Sequence, residues 1–145
     1  MTENIKRILL VDDEATFLQT LRRHLKREGF ELDTAADGGA ACRTILREAE
    51  QARPFDLVIT DVLMPEVDGI ELLTWVKAHY PGTSVIVMTG FGDGDTVSRA
   101  LRPGIDGFGA KPMTPRGMMA LITRIDHYRS RETVDMKGAH EPQAL

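Results

Sequence analysis

The chain has 145 residues, with 18 Lys and Arg against 22 Asp and Glu and a formal net charge of −4. That length suits one domain with its own core and leaves no room for a second folded module. The acidic balance disfavours a basic, nucleic-acid-binding domain, since phosphate neutralisation needs a cationic face. A single cysteine, Cys42, excludes an internal disulfide and a Cys-based zinc site, and reads as a small apolar residue on a helix. The N-terminal residues Met1 to Lys6 are polar, and the first apolar run is cut off by two aspartates. Neither a signal peptide nor a membrane span can be built from that, so a cytoplasmic protein with no membrane contact is expected.

In chain order, Ile8–Val11 predicts the first strand, uniformly apolar as in a strand covered on both faces. Phe17, Leu18, Leu21 and Leu25 then form a helical stripe. A weaker strand at Glu31–Ala35 precedes a second helix carrying Ala41, Ile45 and Ala49. Leu57–Thr60 predicts the third strand and Leu72, Leu73 and Val76 the third helix. Ser84–Met88 is the fourth strand, followed by a short helix over Val97, Ala100 and Leu101 that Pro103-Gly104 stops early. Gly107–Ala110 is a weak fifth strand, because two glycines leave it little to pack. The last helix bears Met118, Leu121, Ile122 and Ile125, with Thr114 as N-cap and Pro115 in its first turn. Five βα units imply a parallel sheet between two layers of helices. The apolar period ends near Arg131, so the domain is expected over residues 1–131, with a polar, disordered tail over 132–145.

Sites in open parallel sheets form at the carboxyl ends of the strands. Here the first strand ends in Asp12-Asp13, the third in Asp61, the fourth in Thr89 and the fifth in Lys111-Pro112. Three carboxylates, a hydroxyl and an ammonium therefore converge on one rim. Carboxylates about 5 Å apart repel by roughly 3 kcal/mol per pair at an effective dielectric near 20, so either protons or a cation must compensate them. An all-oxygen donor set suits Mg²⁺, with Mn²⁺ as a substitute, and argues against zinc. A partly hydrated Mg²⁺ beside a free carboxylate, a lysine and a threonine is a phosphoryl-transfer constellation. Asp68-Gly69 reads as a turn and helix start, and the glycine loop at Gly90, Gly92 and Gly94 as a connector that matches no nucleotide-binding pattern.

The runs Ile8-Leu9-Leu10-Val11-Asp12-Asp13-Glu14, Asp61-Val62-Leu63-Met64-Pro65-Glu66-Val67-Asp68-Gly69, Val87-Met88-Thr89-Gly90 and Ala110-Lys111-Pro112 resemble the receiver domain of bacterial two-component response regulators. The likeness covers about Lys6 to Arg131. It implies a flavodoxin-like, CheY-like (β/α)5 fold with strand order 2-1-3-4-5. It also implies that Asp61 is the phospho-acceptor, becoming 4-aspartylphosphate in a Mg²⁺-dependent reaction. Asp13, Asp61 and the main-chain carbonyl of Leu63 would hold the metal directly, and Asp12 through a water. Thr89 and Lys111 would bind the phosphoryl group, Thr89 and Phe108 would form the switch, and the bond to Pro112 would be cis. Implied partners are a sensor histidine kinase or phosphotransfer protein and a downstream protein target. A homodimer through the fourth helix, fifth strand and fifth helix belongs to the same set of expectations.

Two departures from the family stand out. Phe108 lacks the hydroxyl of the commoner tyrosine, and Leu63, two residues after Asp61, offers nothing to position an attacking water, which favours a long-lived phosphoryl group. Leu63 also weighs against an aspartate-nucleophile phosphatase of the haloacid-dehalogenase type, which needs a second carboxylate at that position. A degenerate receiver used only for binding is opposed by the complete set of Asp12, Asp13, Asp61, Thr89 and Lys111. The expectation is thus a switch that catalyses only its own phosphorylation and dephosphorylation, not an enzyme acting on outside substrates.

Overall fold

Alternate residues of each central strand divide between two apolar layers, which is why these strands carry no polar face. In the computed structural model, which describes the backbone of residues 2–90, 98–99 and 103–139 and side chains as far as Arg129, five strands form one parallel sheet. They are β1 (Arg7–Val11), β2 (Glu31–Ala35), β3 (Leu57–Asp61), β4 (Ser84–Thr89) and β5 (Gly107–Ala110), in the order β2-β1-β3-β4-β5. Leu9, Val11, Val58, Val85 and Val87 face one core, closed by Ala41 and Ile45 of α2 (Gly38–Glu50) and by Leu72, Leu73 and Val76 of α3 (Gly69–His79). Ile8, Leu10, Ile59, Ile86 and Met88 face the other. That core is closed by Leu18, Leu21 and Leu25 of α1 (Ala15–Arg27) and by Met118, Ile122 and Ile125 of the final helix, α4 (Pro115–Ala139). Each fully buried Leu or Ile contributes about 1.5–3 kcal/mol, so these two layers hold the sheet that carries the rim residues.

The helix starts follow the local chemistry of the sequence. Asp68 caps α3 reciprocally: its side chain accepts from Glu71 N at 2.8 Å while Glu71 Oε1 accepts from Asp68 N at 2.9 Å. Thr114 Oγ1 accepts from Gly117 N at 3.0 Å at the head of α4. α1 has no side-chain cap of its own; instead Asp12 Oδ1 accepts from Glu14 N at 2.9 Å. The sequence-predicted helix between β4 and β5 lies outside the described residues apart from Ser98 and Arg99, whose backbone is helical. The dimer face expected to include it therefore lies partly outside them too.

Two features differ from the sequence-based expectation. α4 continues in helical backbone to Ala139, past Arg131 where its apolar period stops, although residues 132–139 were expected to lack structure. The glycines of β5 are places of close packing: a Cβ on Gly109 would lie 2.6 Å from Met113 Cε, and one on Gly107 would lie 3.1 Å from Ile125 Cδ1. They let α4 sit against the strand, which is how so poor a strand sequence stays in the sheet. The polar N-terminal segment is anchored, since the buried Asp126 of α4 accepts from Asn4 N and Ile5 N, each at 2.7 Å, and from Glu3 N at 3.2 Å.

Candidate functional site

β1 and β3 are adjacent, so their carboxyl ends bring Asp12, Asp13 and Asp61 together. One carboxylate oxygen from each lies within 4.8 Å of the others. Asp12 is 1% exposed and Asp61 9%, while Asp13 is exposed. Gly69 sets how the chain leaves β3: a Cβ there would fall 2.2 Å from Asp61 O, so α3 starts in contact with the end of β3 only because the position is glycine. Gly69 N donates to Val62 O at 2.9 Å, and Val62 N to Met88 O at 3.1 Å, which fixes the turn after Asp61 against β4.

Lys111 reaches this cluster from the end of β5. Its Nζ lies 3.0 Å from Asp12 Oδ2 and 3.2 Å from Asp61 Oδ2. Its main-chain N donates to Thr89 O at 2.8 Å, and the Lys111–Pro112 bond is cis. Nζ also stands 5.1 Å from the centre of the Phe17 ring, an approach worth about 0.5–2 kcal/mol depending on desolvation. Burial pushes the Asp61 carboxyl above its ordinary range; Lys111 opposes the rise and the charge on Asp12 adds to it. Burial alone would lower Lys111, but its hydrogen bond to Asp12 and the charges of Asp12 and Asp61 outweigh this and raise it.

Three carboxylates against one ammonium leave a net of two negative charges in a space of a few ångströms. The donors are all oxygens and one side stays open through the exposed Asp13. That charge, donor type and access fit a partly hydrated divalent cation such as Mg²⁺.

The remaining sequence-predicted residues are near but not all in contact. Thr89 is the last residue of β4, half-buried and in register with Ala110, and its main chain is tied to Lys111. The Leu63 side chain projects outward, 78% exposed. Phe108 is half-buried against the core on the α2 and α3 side of the sheet. Phe17 belongs to the site although its sequence marks it only as part of the apolar stripe of α1. The available signal was its place in the first turn after the two aspartates, which puts a large ring beside the rim.

The sequence model of the response regulator receiver domain matches residues 8–123. The chain belongs to that family. It is 32% identical over 120 residues to the chemotaxis protein CheY of Halobacterium salinarum, covering 83% of this chain and 96% of that one. It is 32% identical over 120 residues to the alkaline phosphatase synthesis transcriptional regulatory protein PhoP of Bacillus subtilis, covering 83% of this chain and 48% of that one. The receiver therefore spans about half of that regulator, and 24% of the response regulator protein FleR of Pseudomonas aeruginosa. The crystal structure of a CheY-like receiver domain protein from Methanospirillum hungatei superposes with a TM-score of 0.80 at 30% identity, over 88% of this chain and 98% of that one. Receiver domains are signalling modules that work with histidine kinases and downstream effectors. Among the described residues no helix is long and apolar enough to cross a membrane.

Proposed function

We propose that Asp61 of this receiver accepts a phosphoryl group from a sensor histidine kinase or phosphotransfer protein, and that the acyl phosphate changes the binding of a downstream protein. The observation that carries the reading is the placement of Asp61 at the end of β3, with Asp12 and Asp13 within 4.8 Å and Lys111 Nζ at 3.2 Å. In the transfer, an Asp61 carboxylate oxygen attacks the phosphorus of a phosphohistidine. The P–N bond breaks, the imidazole nitrogen keeps the electron pair and takes a proton from water, and an acyl phosphate remains on Asp61. Mg²⁺ or Mn²⁺, held by Asp13, Asp61 and the Leu63 carbonyl and through a water by Asp12, would neutralise charge on the transferring group.

Lys111 then transfers its ammonium from the Asp61 oxygen to a phosphoryl oxygen while Asp12 keeps hold of its other side. The Thr89 hydroxyl donates to a second phosphoryl oxygen. Because Thr89 O is bonded to Lys111 N, movement of the one strand end is felt by the other. Phe108, without a hydroxyl, follows by packing alone. These steps change only the protein's own phosphorylation state. A phosphatase acting on outside substrates is disfavoured, since the solvent-facing aliphatic Leu63 cannot protonate a leaving group. A cytoplasmic location belongs to the same reading.

The test is phosphotransfer. A sensor kinase carrying labelled phosphohistidine should pass one label to this chain in the presence of Mg²⁺, giving an acid-stable, base-labile product. Transfer that proceeds equally well in excess chelator would contradict the metal-dependent reading.

A further inference from the structure

We propose that Phe17 is a positioning residue for Lys111, fixing the ammonium over the acidic cluster through the face of its ring. The inference rests on Asp61 being the acceptor. Lys111 is contacted from three elements: Asp12 at the end of β1, Asp61 at the end of β3 and Phe17 in the first turn of α1. The contact to Asp61 changes with the reaction, because phosphorylation turns one carboxylate oxygen into the bridging oxygen of a mixed anhydride and moves the negative charge that holds Nζ onto the phosphoryl oxygens. Attraction to an aromatic face depends on the ring quadrupole alone and uses none of the three N–H donors. The ring, like Asp12, is therefore a contact to Lys111 that stays constant while the donor facing Asp61 is reassigned to a phosphoryl oxygen.

Phe17 is itself held in place. Asp12 Oδ1 accepts from Glu14 N, so the carboxylate that grips Lys111 also anchors the start of α1, and Phe17 follows Glu14 by three residues, nearly one turn. The ring packs against the core beneath α1 and α4, where Met113 also packs. A four-carbon lysine stem is flexible, and a fixed ring beside its end removes conformers in which the ammonium swings to solvent. The ring also covers one side of Nζ against water.

The measurement is the rate of phosphoryl uptake from acetyl phosphate at saturating Mg²⁺, in full-length chain, for wild type and for Phe17→Met, Phe17→Leu, Phe17→Tyr and Phe17→Trp. Met keeps the apolar volume and removes the ring face, so Phe17→Met should slow uptake three- to tenfold, or about 0.7–1.4 kcal/mol at 1.36 kcal/mol per tenfold. Tyr and Trp should restore the wild-type rate. In a Lys111→Met background the same Phe17→Met change should have no further effect. The inference is overturned by an unchanged rate in Phe17→Met, by a loss shared with Phe17→Tyr, or by an equal loss when Lys111 is already replaced. Phe17→Leu gives the same decision where Phe17→Met does not fold. Failure of wild type to take up phosphate would overturn the assignment of Asp61 instead.

Discussion

Lys111 Nζ sits 3.0 Å from Asp12 Oδ2, although the two residues are 99 positions apart in the chain. Asp12 is buried and Lys111 is a quarter exposed, so the pair is the main internal compensation for the acidic rim. Lys111→Ala should destabilise the metal-free protein by about 1–3 kcal/mol, because it leaves a buried carboxylate uncompensated. The same change should tighten Mg²⁺ binding several-fold, since a competing cation has gone. Denaturant unfolding and titration calorimetry check the two halves, and Mg²⁺ should raise the midpoint of the variant more than that of wild type.

Asp61 gives a pH dependence whose sign follows from its environment. Burial raises its folded pKa above the unfolded value, so its contribution is favourable at low pH and is lost as pH rises through the folded pKa. Asp61→Asn should accordingly raise the thermal midpoint by a few degrees at neutral pH without Mg²⁺. The gain should shrink toward zero as pH falls below the carboxylate range, which a series of melting curves would reveal.

Close approach ranks the glycines near the site. Gly69→Ala would put a Cβ 2.2 Å from backbone and should cost at least about 2–3 kcal/mol, shifting Asp61 as it does so. Gly109→Ala meets the flexible end of Met113 and should cost roughly 1 kcal/mol; Gly107→Ala, at 3.1 Å from Ile125 Cδ1, should cost less. Equilibrium unfolding in urea measures the order directly, and phosphoryl uptake should fall only in Gly69→Ala.

Leu63 stands two residues after Asp61 with an exposed side chain. Leu63→Asn replaces an aliphatic group by one that can hold a water beside the phosphoryl group. The half-life of the aspartyl phosphate should shorten several-fold, measured by loss of label after removal of the donor. A half-life unchanged or lengthened by this substitution would show that Leu63 does not govern the lifetime.

Much of this architecture is legible because its signals are local. The uniform apolar runs mark β1, β3 and β4, and the residue that ends each strand marks the rim, since a parallel sheet aligns its carboxyl ends. The Asp68 and Thr114 caps are likewise readable from short spacing. Contacts that depend on distant packing are not. Asp126 clasping the backbone of residues 3–5 joins positions more than 120 apart, and nothing in either segment announces the other. Gly107 and Gly109 read as weak strand residues because their value lies in the helix that presses on them. Phe17 reads as core because the stripe it belongs to is core; its second contact appears only once β5 has delivered Lys111 across the sheet.

The central claim is that Asp61 carries the phosphoryl group. Intact-mass measurement after incubation with acetyl phosphate and Mg²⁺, followed by borohydride trapping and peptide mapping, tests it most directly. Wild type should gain one phosphate, mapped to Asp61, and Asp61→Asn should gain none. A phosphate retained in Asp61→Asn, or mapped to Asp12, Asp13 or any other residue of the wild type, would contradict the account.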